Sequence, residues 1–334
     1  MPLDHYVTLG RSGLRVSPFA LGAMTFGEDP GGAGCGVEES EKILGDWFAA
    51  HPGRREHVVL ASKFFANLFP GDPNGGGAGR SSIIAQLDET LRRLRTDYLD
   101  LYWLHNWDRH TPIEETLRTL DDLVRAGKIR YLGFSNTPAW VTAQAQTTAL
   151  LAGWTPLIAL QVEYSLPART VEGELAALAL DQGMALVPWS PLKHGFLSGK
   201  YRRDTPVADS ARTAFVGGPS EDEFTVIDTV AAIADELETT SAAVSLAWLR
   251  AREGTVVPIL GARQVGHLET NLAGLEVTLA PEHLHTLDEV SAPTLNYPAP
   301  MHGALRAMLQ FAGTTVDGEP STVYPPLQQS AVRY

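Results

Sequence analysis

The segments YLDLYWLH (98–105), TPIEETLRTLDDLVRAG (111–127) and RYLGFS (130–135) decide the fold. The first and third are short runs, near-continuously apolar in their middles, as expected of strands buried on both faces. Between them Thr111, Pro112 and Glu114 read as N-cap, first helical residue and third residue of a capping box, and Gly127 as the glycine that closes the helix. Strand, helix and strand in that order predict a parallel sheet with crossover helices.

The same alternation extends both ways. Further strands are expected at Phe19–Met24, His57–Phe64, Ile158–Tyr164, Met184–Ser190 and Val256–Gly261. Helices are expected at Glu38–Ala50, along the stripe Ile84, Leu87, Leu91 and Leu94, at Ser220–Leu237, at Thr240–Arg252 and at Pro281–Val290. Residues Tyr6 to Val16 read as a hairpin turning at Arg11-Ser12-Gly13. The glycine-rich stretch PGDPNGGGAG (70–79) reads as a flexible lid, and 292–334 as an irregular tail. No linker or internal repeat divides the chain, so a single domain is expected. A closed barrel of this kind uses eight strands; only seven are readable, and nothing β-like lies between residues 28 and 56.

Composition narrows the function. The 334 residues carry a net charge of −13, which disfavours nucleic acid and anionic membranes as partners. Cys35 is the only cysteine, so no intrachain disulfide forms, and with no signal peptide or apolar span readable the expected location is cytoplasmic. There is no GxGxxG after the first strand, no P-loop lysine after the glycines at 71–79, and no HExxH, paired-cysteine or EF-hand spacing.

The chemistry-bearing residues cluster at predicted strand ends: LGAMTFG (21–27), ASKF (61–64), LYWLH (101–105), GFSN (133–136), QVEYS (161–165), PWSPL (188–192) and PILGAR (258–263). Together, in this order, they resemble the aldo-keto reductase family, closest to bacterial reductases related to potassium-channel β subunits. The resemblance covers nearly the whole chain. It implies a (β/α)8 TIM barrel with an N-terminal β-hairpin, and a site at the C-terminal end of the barrel.

Taken alone, Lys63 is a surface lysine and His105 a core histidine. The resemblance makes Lys63 the cation that lowers the proton donor's pKa, and His105 the group that orients a substrate carbonyl. It makes Ser135, Asn136 and Gln161 partners of a nicotinamide carboxamide and Trp189 the ring stacked on it. Alone, the first two would cap a helix and the tryptophan would pack. Gly22, Ala23 and Met24 fall at the cofactor side of the first strand. Ser190, Leu192, Gly195, Lys200 and Arg212 lie in a loop that crosses the pyrophosphate in relatives. Gly261 and Arg263 precede a helix start suited to a phosphate; Arg263 points to NADPH over NADH through a 2′-phosphate. Asn271 matches an adenine-contacting position, while His267 and Thr270 depart from the Gln and Glu of many relatives.

One part of the pattern is missing. The family's proton-donor tyrosine and its aspartate lie in a segment like Asp-Thr-Ala-x-x-Tyr, and no tyrosine occurs between Tyr6 and Tyr98. Two helix starts read as fused at Ser40-Glu41. Three accounts compete: the written sequence omits a segment present in the molecule, the gene carries a true deletion, or another element fills the place. The first is favoured, because an interior strand cannot be removed without exposing unpaired backbone, and it predicts a break in the Cα trace near 36–42. Two functions stay open: an NADPH-dependent reductase of a small-molecule carbonyl, or an NADPH-binding regulatory or catalytically impaired homologue. Neither the physiological substrate nor the oligomeric state is readable.

Overall fold

The computed structural model describes residues 4–27, 37–203, 217–262, 264–302 and 304–329. All seven expected barrel strands form. They are β3 (Ala20–Gly22), β4 (Ala61–Phe64), β5 (Leu99–Leu104), β6 (Ile129–Ser135), β7 (Leu157–Glu163), β8 (Ala185–Trp189) and β9 (Ile259–Gly261). β4 to β8 make a parallel five-stranded sheet in chain order, and β3 pairs in parallel with β9. A bridge between Leu186 and Val256 joins the two groups. An antiparallel hairpin, β1 (Val7–Thr8) and β2 (Arg15–Val16), precedes them.

The helices are α1 (Val37–Ala50), α2 (Arg80–Leu94), α3 (Ile113–Arg125), α4 (Ala139–Ala152), α5 (Leu175–Asp181), α6 (Glu221–Glu236), α7 (Ser241–Arg250), α8 (Val265–Leu272), α9 (Pro281–Val290) and α10 (Ala304–Phe311). Alternation along the strands sorts two cores. Leu101, Trp103, Ala159, Ala185, Val187 and Val257 fill the barrel interior, with Leu9 of the hairpin among them. Phe64, Tyr102, Leu104, Leu132, Phe134 and Leu160 face the helices. Trp103 occupies the barrel centre only because residue 133 is glycine, where a Cβ would stand 2.3 Å from the indole. The hairpin caps the N-terminal end, with the Arg11 N–H donating to the Gly183 carbonyl at 2.6 Å.

Among the described residues the barrel is open along one seam. β3 pairs only with β9, and β4 only with β5. This is where the eighth strand of the family pattern belongs. The expected break in the trace is not found over residues 37–42; α1 runs continuously through Ser40 and Glu41. Glu41 is buried and seats the helix: it accepts from Arg93 Nε at 2.7 Å, Ser62 Oγ at 2.5 Å and Thr90 Oγ1 at 3.2 Å. Gly45 lets α1 approach α2 closely, since a Cβ there would meet the Arg93 carbonyl.

Several local expectations are corrected. Thr111 does not cap α3: its hydroxyl donates to Asp108 at 2.7 Å, and Pro112 holds the N-cap position. Ile83, not Ile84, joins the core, and Ile84 is exposed. β4 starts at Ala61 rather than His57, because Arg55–His57 forms a 3-10 turn. The glycine-rich loop is pinned, with Gly77 N–H donating to Phe65 and Ala78 N–H to Asp108. The tail contains α10 and a short hairpin, β10 (Thr315–Val316) with β11 (Glu319–Pro320), tied by Arg306 to Glu319 at 2.7 Å.

Candidate active site

Lys63 and Trp103 are register partners on β4 and β5 and face the barrel interior. Their neighbours Ser62 and Phe64 point the other way, to Glu41 and to the Tyr102 ring. Lys63 is mostly buried, and burial lowers its pKa. Among the described residues its side-chain amine has no hydrogen-bond or ion-pair partner, while its backbone pairs with β5. His105 follows β5, its backbone N–H donating to the Phe64 carbonyl at 3.1 Å. Its pKa is lowered by burial first and by the Lys63 charge second, which favours a neutral imidazole.

Asn136 ties the neighbouring strand ends together. Its Nδ2 donates to the His105 carbonyl at 3.0 Å, and its Oδ1 accepts from the Trp189 indole at 3.1 Å. Its backbone N–H donates to the Gln161 carbonyl at 3.3 Å. Asn136 holds φ +48°, a left-handed geometry that asparagine tolerates better than most residues. Ser135 and Gln161 are in register on β6 and β7, both buried. Ser135 Oγ has no hydrogen-bond partner among the described residues.

Beyond Trp189 the chain turns sharply, with Ser190 at φ +53° and its Oγ accepting from the His194 N–H at 2.8 Å. Leu192 is half-buried, Gly195 has φ +98° with open space where a Cβ would stand, and Lys200 is exposed. Gly22 ends β3, and Ala23 and Met24 form a 3-10 turn in which Met24 is exposed. Gly261 ends β9, again with nothing near a would-be Cβ. α8 follows without a side-chain cap at Gln264, and Asn271 is buried on it. Arg212 and Arg263 lie outside the described residues.

Trp103, Trp107, Phe65 and Phe69 are the aromatics the sequence offers for an apolar pocket; the pairing of Trp107 with Trp140, and the role of Glu163, escaped it. Trp107 and Trp140, which follow His105 and Asn136 by two and four residues along the chain, meet edge-on with ring centroids 5.6 Å apart. Trp140 stands on the first turn of α4, directly after the Ser135-Asn136 strand end, which was the available signal. Glu163, at the end of β7, accepts from Lys193 at 2.8 Å and fixes the loop after Trp189.

Three tyrosines sit on or just after barrel strands, and of these Tyr131 packs against the interior cluster that contains Leu9. Tyr102 faces the helices, and burial pushes its phenol far above the ordinary range. The Tyr164 hydroxyl donates to Glu172 at 2.7 Å. Among the described residues no cluster suited to a metal occurs, and no helix is long and apolar enough to cross a membrane.

A parallel barrel whose strand ends gather lysine, histidine, serine-asparagine, glutamine and tryptophan at one mouth has the layout of a barrel oxidoreductase. The chain belongs to the aldo/keto reductase family, whose model matches residues 36–292. It is 34% identical to an uncharacterized oxidoreductase, YrpG, of Bacillus subtilis (strain 168), over 86% of this chain and 95% of that protein. It is 30% identical to the aryl-alcohol dehydrogenase [NADP(+)] of Phanerodontia chrysosporium, over 87% of this chain and 86% of that protein. It is 29% identical to the norsolorinic acid reductase stcV of Emericella nidulans, over 88% and 83% respectively.

Proposed function

We infer that this protein reduces an aromatic aldehyde or ketone to the alcohol, using NADPH. The observation that carries the reading is Asn136, which joins His105, Gln161 and Trp189 from three separate strand ends into one hydrogen-bonded rim. The residues present fit a nicotinamide nucleotide: the buried Ser135 hydroxyl has a donor and lone pairs to spare, and Gly195 and Gly261 leave room for a ligand's approach. A relative named for NADP(+) supports the same choice.

In this reading Ser135, Asn136 and Gln161 hold the carboxamide and Trp189 supports the ring. Gly22, Ala23 and Met24 line the near side. Ser190, Leu192, Gly195, Lys200 and Arg212 bind the pyrophosphate, while Gly261, Arg263 and the N-terminus of α8 take the 2′-phosphate and Asn271 the adenine. When bound, the nucleotide supplies hydride to the carbonyl carbon. His105, neutral near pH 7, donates a hydrogen bond that orients the carbonyl oxygen. Trp107 and Trp140 offer an aromatic wall at the mouth for a planar substrate, in keeping with relatives named for aryl alcohols.

A second reading is an NADPH-binding homologue with impaired catalysis, favoured by the lack of a phenol at Lys63 among the described residues. Losing a positioned general acid lowers the rate about 10²–10⁴-fold. Fluorescence titration with NADPH and NADH, followed by NADPH oxidation over a panel of aryl aldehydes, separates the two. Binding with measurable turnover supports the reductase; binding with none supports the second reading. Absence of binding refutes both.

A further inference from the structure

Lys63 is chemically distinct among the five lysines of this chain. Lys42, Lys128 and Lys193 each bond a carboxylate, Glu38 at 3.3 Å, Asp88 at 2.6 Å and Glu163 at 2.8 Å. Lys200 is exposed, where an ammonium is fully hydrated. Lys63 alone projects into the barrel from a strand, beside Trp103, with no carboxylate partner among the described residues. Among the described residues no strand pairs with the other side of β4, so Lys63 stands on the strand that borders the open seam. His105 stands one strand over at the same level, its backbone N–H donating to the carbonyl of Phe64, the residue after Lys63, at 3.1 Å.

We propose that Lys63 is a covalent carbonyl-capturing residue, forming a reversible imine with aldehydes or ketones that enter the barrel mouth. The Nζ lone pair attacks the carbonyl carbon, and the carbonyl oxygen takes up a proton to give a carbinolamine. Loss of the hydroxyl with the remaining N–H proton releases one water and leaves the C=N bond. Both hydrogens of the neutral amine depart in that water, so no oxidant or reductant is needed. His105, uncharged and with one nitrogen of each kind, can accept the proton shed by nitrogen and return it to oxygen. Burial favours the neutral, nucleophilic amine, as it does for lysines that form Schiff bases elsewhere.

The proposal rests on a carbonyl compound reaching the mouth, as in the reading above, but not on the nucleotide. The test therefore omits it. The full chain is incubated with benzaldehyde and sodium cyanoborohydride, which reduces an imine to a stable secondary amine, and the adduct is mapped by peptide mass spectrometry. Benzylation of Lys63 is expected to be faster than that of exposed Lys200, because burial holds more of the Lys63 amine in its neutral form. Lys63→Arg, which keeps the charge but forms no imine, should abolish the fast adduct.

Equal labelling of Lys63 and Lys200, or an unlabelled Lys63, overturns the proposal, and wild-type mapping decides this even if the variant folds poorly. NADPH titration of the same sample keeps the readings apart. Binding without a Lys63 adduct removes only the imine; a Lys63 adduct without NADPH binding removes only the reductase.

Discussion

Replacing Glu41 with alanine tests how α1 is seated against the open seam. The Glu41 and Arg93 side chains are 7% and 6% exposed and meet at 2.7 Å. Glu41 also accepts from Ser62 on β4 and Thr90 on α2, so one carboxylate ties two helices and a strand. Removing it leaves the Arg93 guanidinium buried beside two hydroxyls that lose an acceptor. Breaking a buried pair from one side costs about 3–5 kcal/mol. At about 2–3 °C per kcal/mol for a domain of this size, Glu41→Ala should lower Tm by about 6–15 °C. The double variant Glu41→Met with Arg93→Leu removes both charges and should regain most of that loss, since apolar replacements of buried pairs are often neutral or better. Urea denaturation followed by circular dichroism measures both. A Glu41→Ala protein within about 1 kcal/mol of wild type would mean the carboxylate is hydrated, and the placement of α1 across Ser40 and Glu41 would be refuted.

Gly133→Ala forces a methyl to 2.3 Å from the Trp103 ring; overpacking of about 1–3 kcal/mol or more is expected, read as a fall in Tm, and an unchanged Tm would contradict the packed barrel centre. Lys63→Met removes the lesser of the two causes that depress His105, so NMR titration should find the imidazole pKa raised yet still below its ordinary value. By linkage, the depressed His105 contributes stability present above its unfolded pKa, about 6.5, and lost as pH falls through that value towards the folded one. In Lys63→Met that acid-side loss should shrink; complete return of His105 to the ordinary value would show that charge, not burial, dominates. Intact mass should be 36.1 kDa; a mass heavier by a helix and a strand would show instead that the written sequence omits a segment.

The strands were legible because both of their faces are buried, so an apolar run such as LYWL (101–104) survives whatever packs on it. The candidate positions Lys63, His105, Asn136 and Trp189 were picked out for the same reason, since each stands where an apolar run stops. What stayed hidden depends on tertiary contact. The run HVVL (57–60) reads as strand, but Val58 and Val59 are 37% and 40% exposed beside the open seam and only the last residues pair. Thr111 has an ideal capping pattern, yet Asp108 takes its hydroxyl. Ile83 and Ile84 are adjacent, and only the angle at which α2 meets the sheet selects Ile83. The Trp107–Trp140 pair joins the segment after β5 to the first turn of α4, and only the place of each tryptophan after a strand end hints at it.

We propose a carbonyl reductase that takes NADPH at the strand-end rim and turns over slowly, since no phenol stands at Lys63 among the described residues. The most direct test is NADPH oxidation by the full chain with saturating benzaldehyde, measured alongside NADPH affinity and compared with a relative that carries the donor tyrosine. Binding as tight as in that relative, with turnover about 10²–10⁴-fold slower, is the expected result. Failure to bind NADPH, or turnover equal to the relative's, would contradict it.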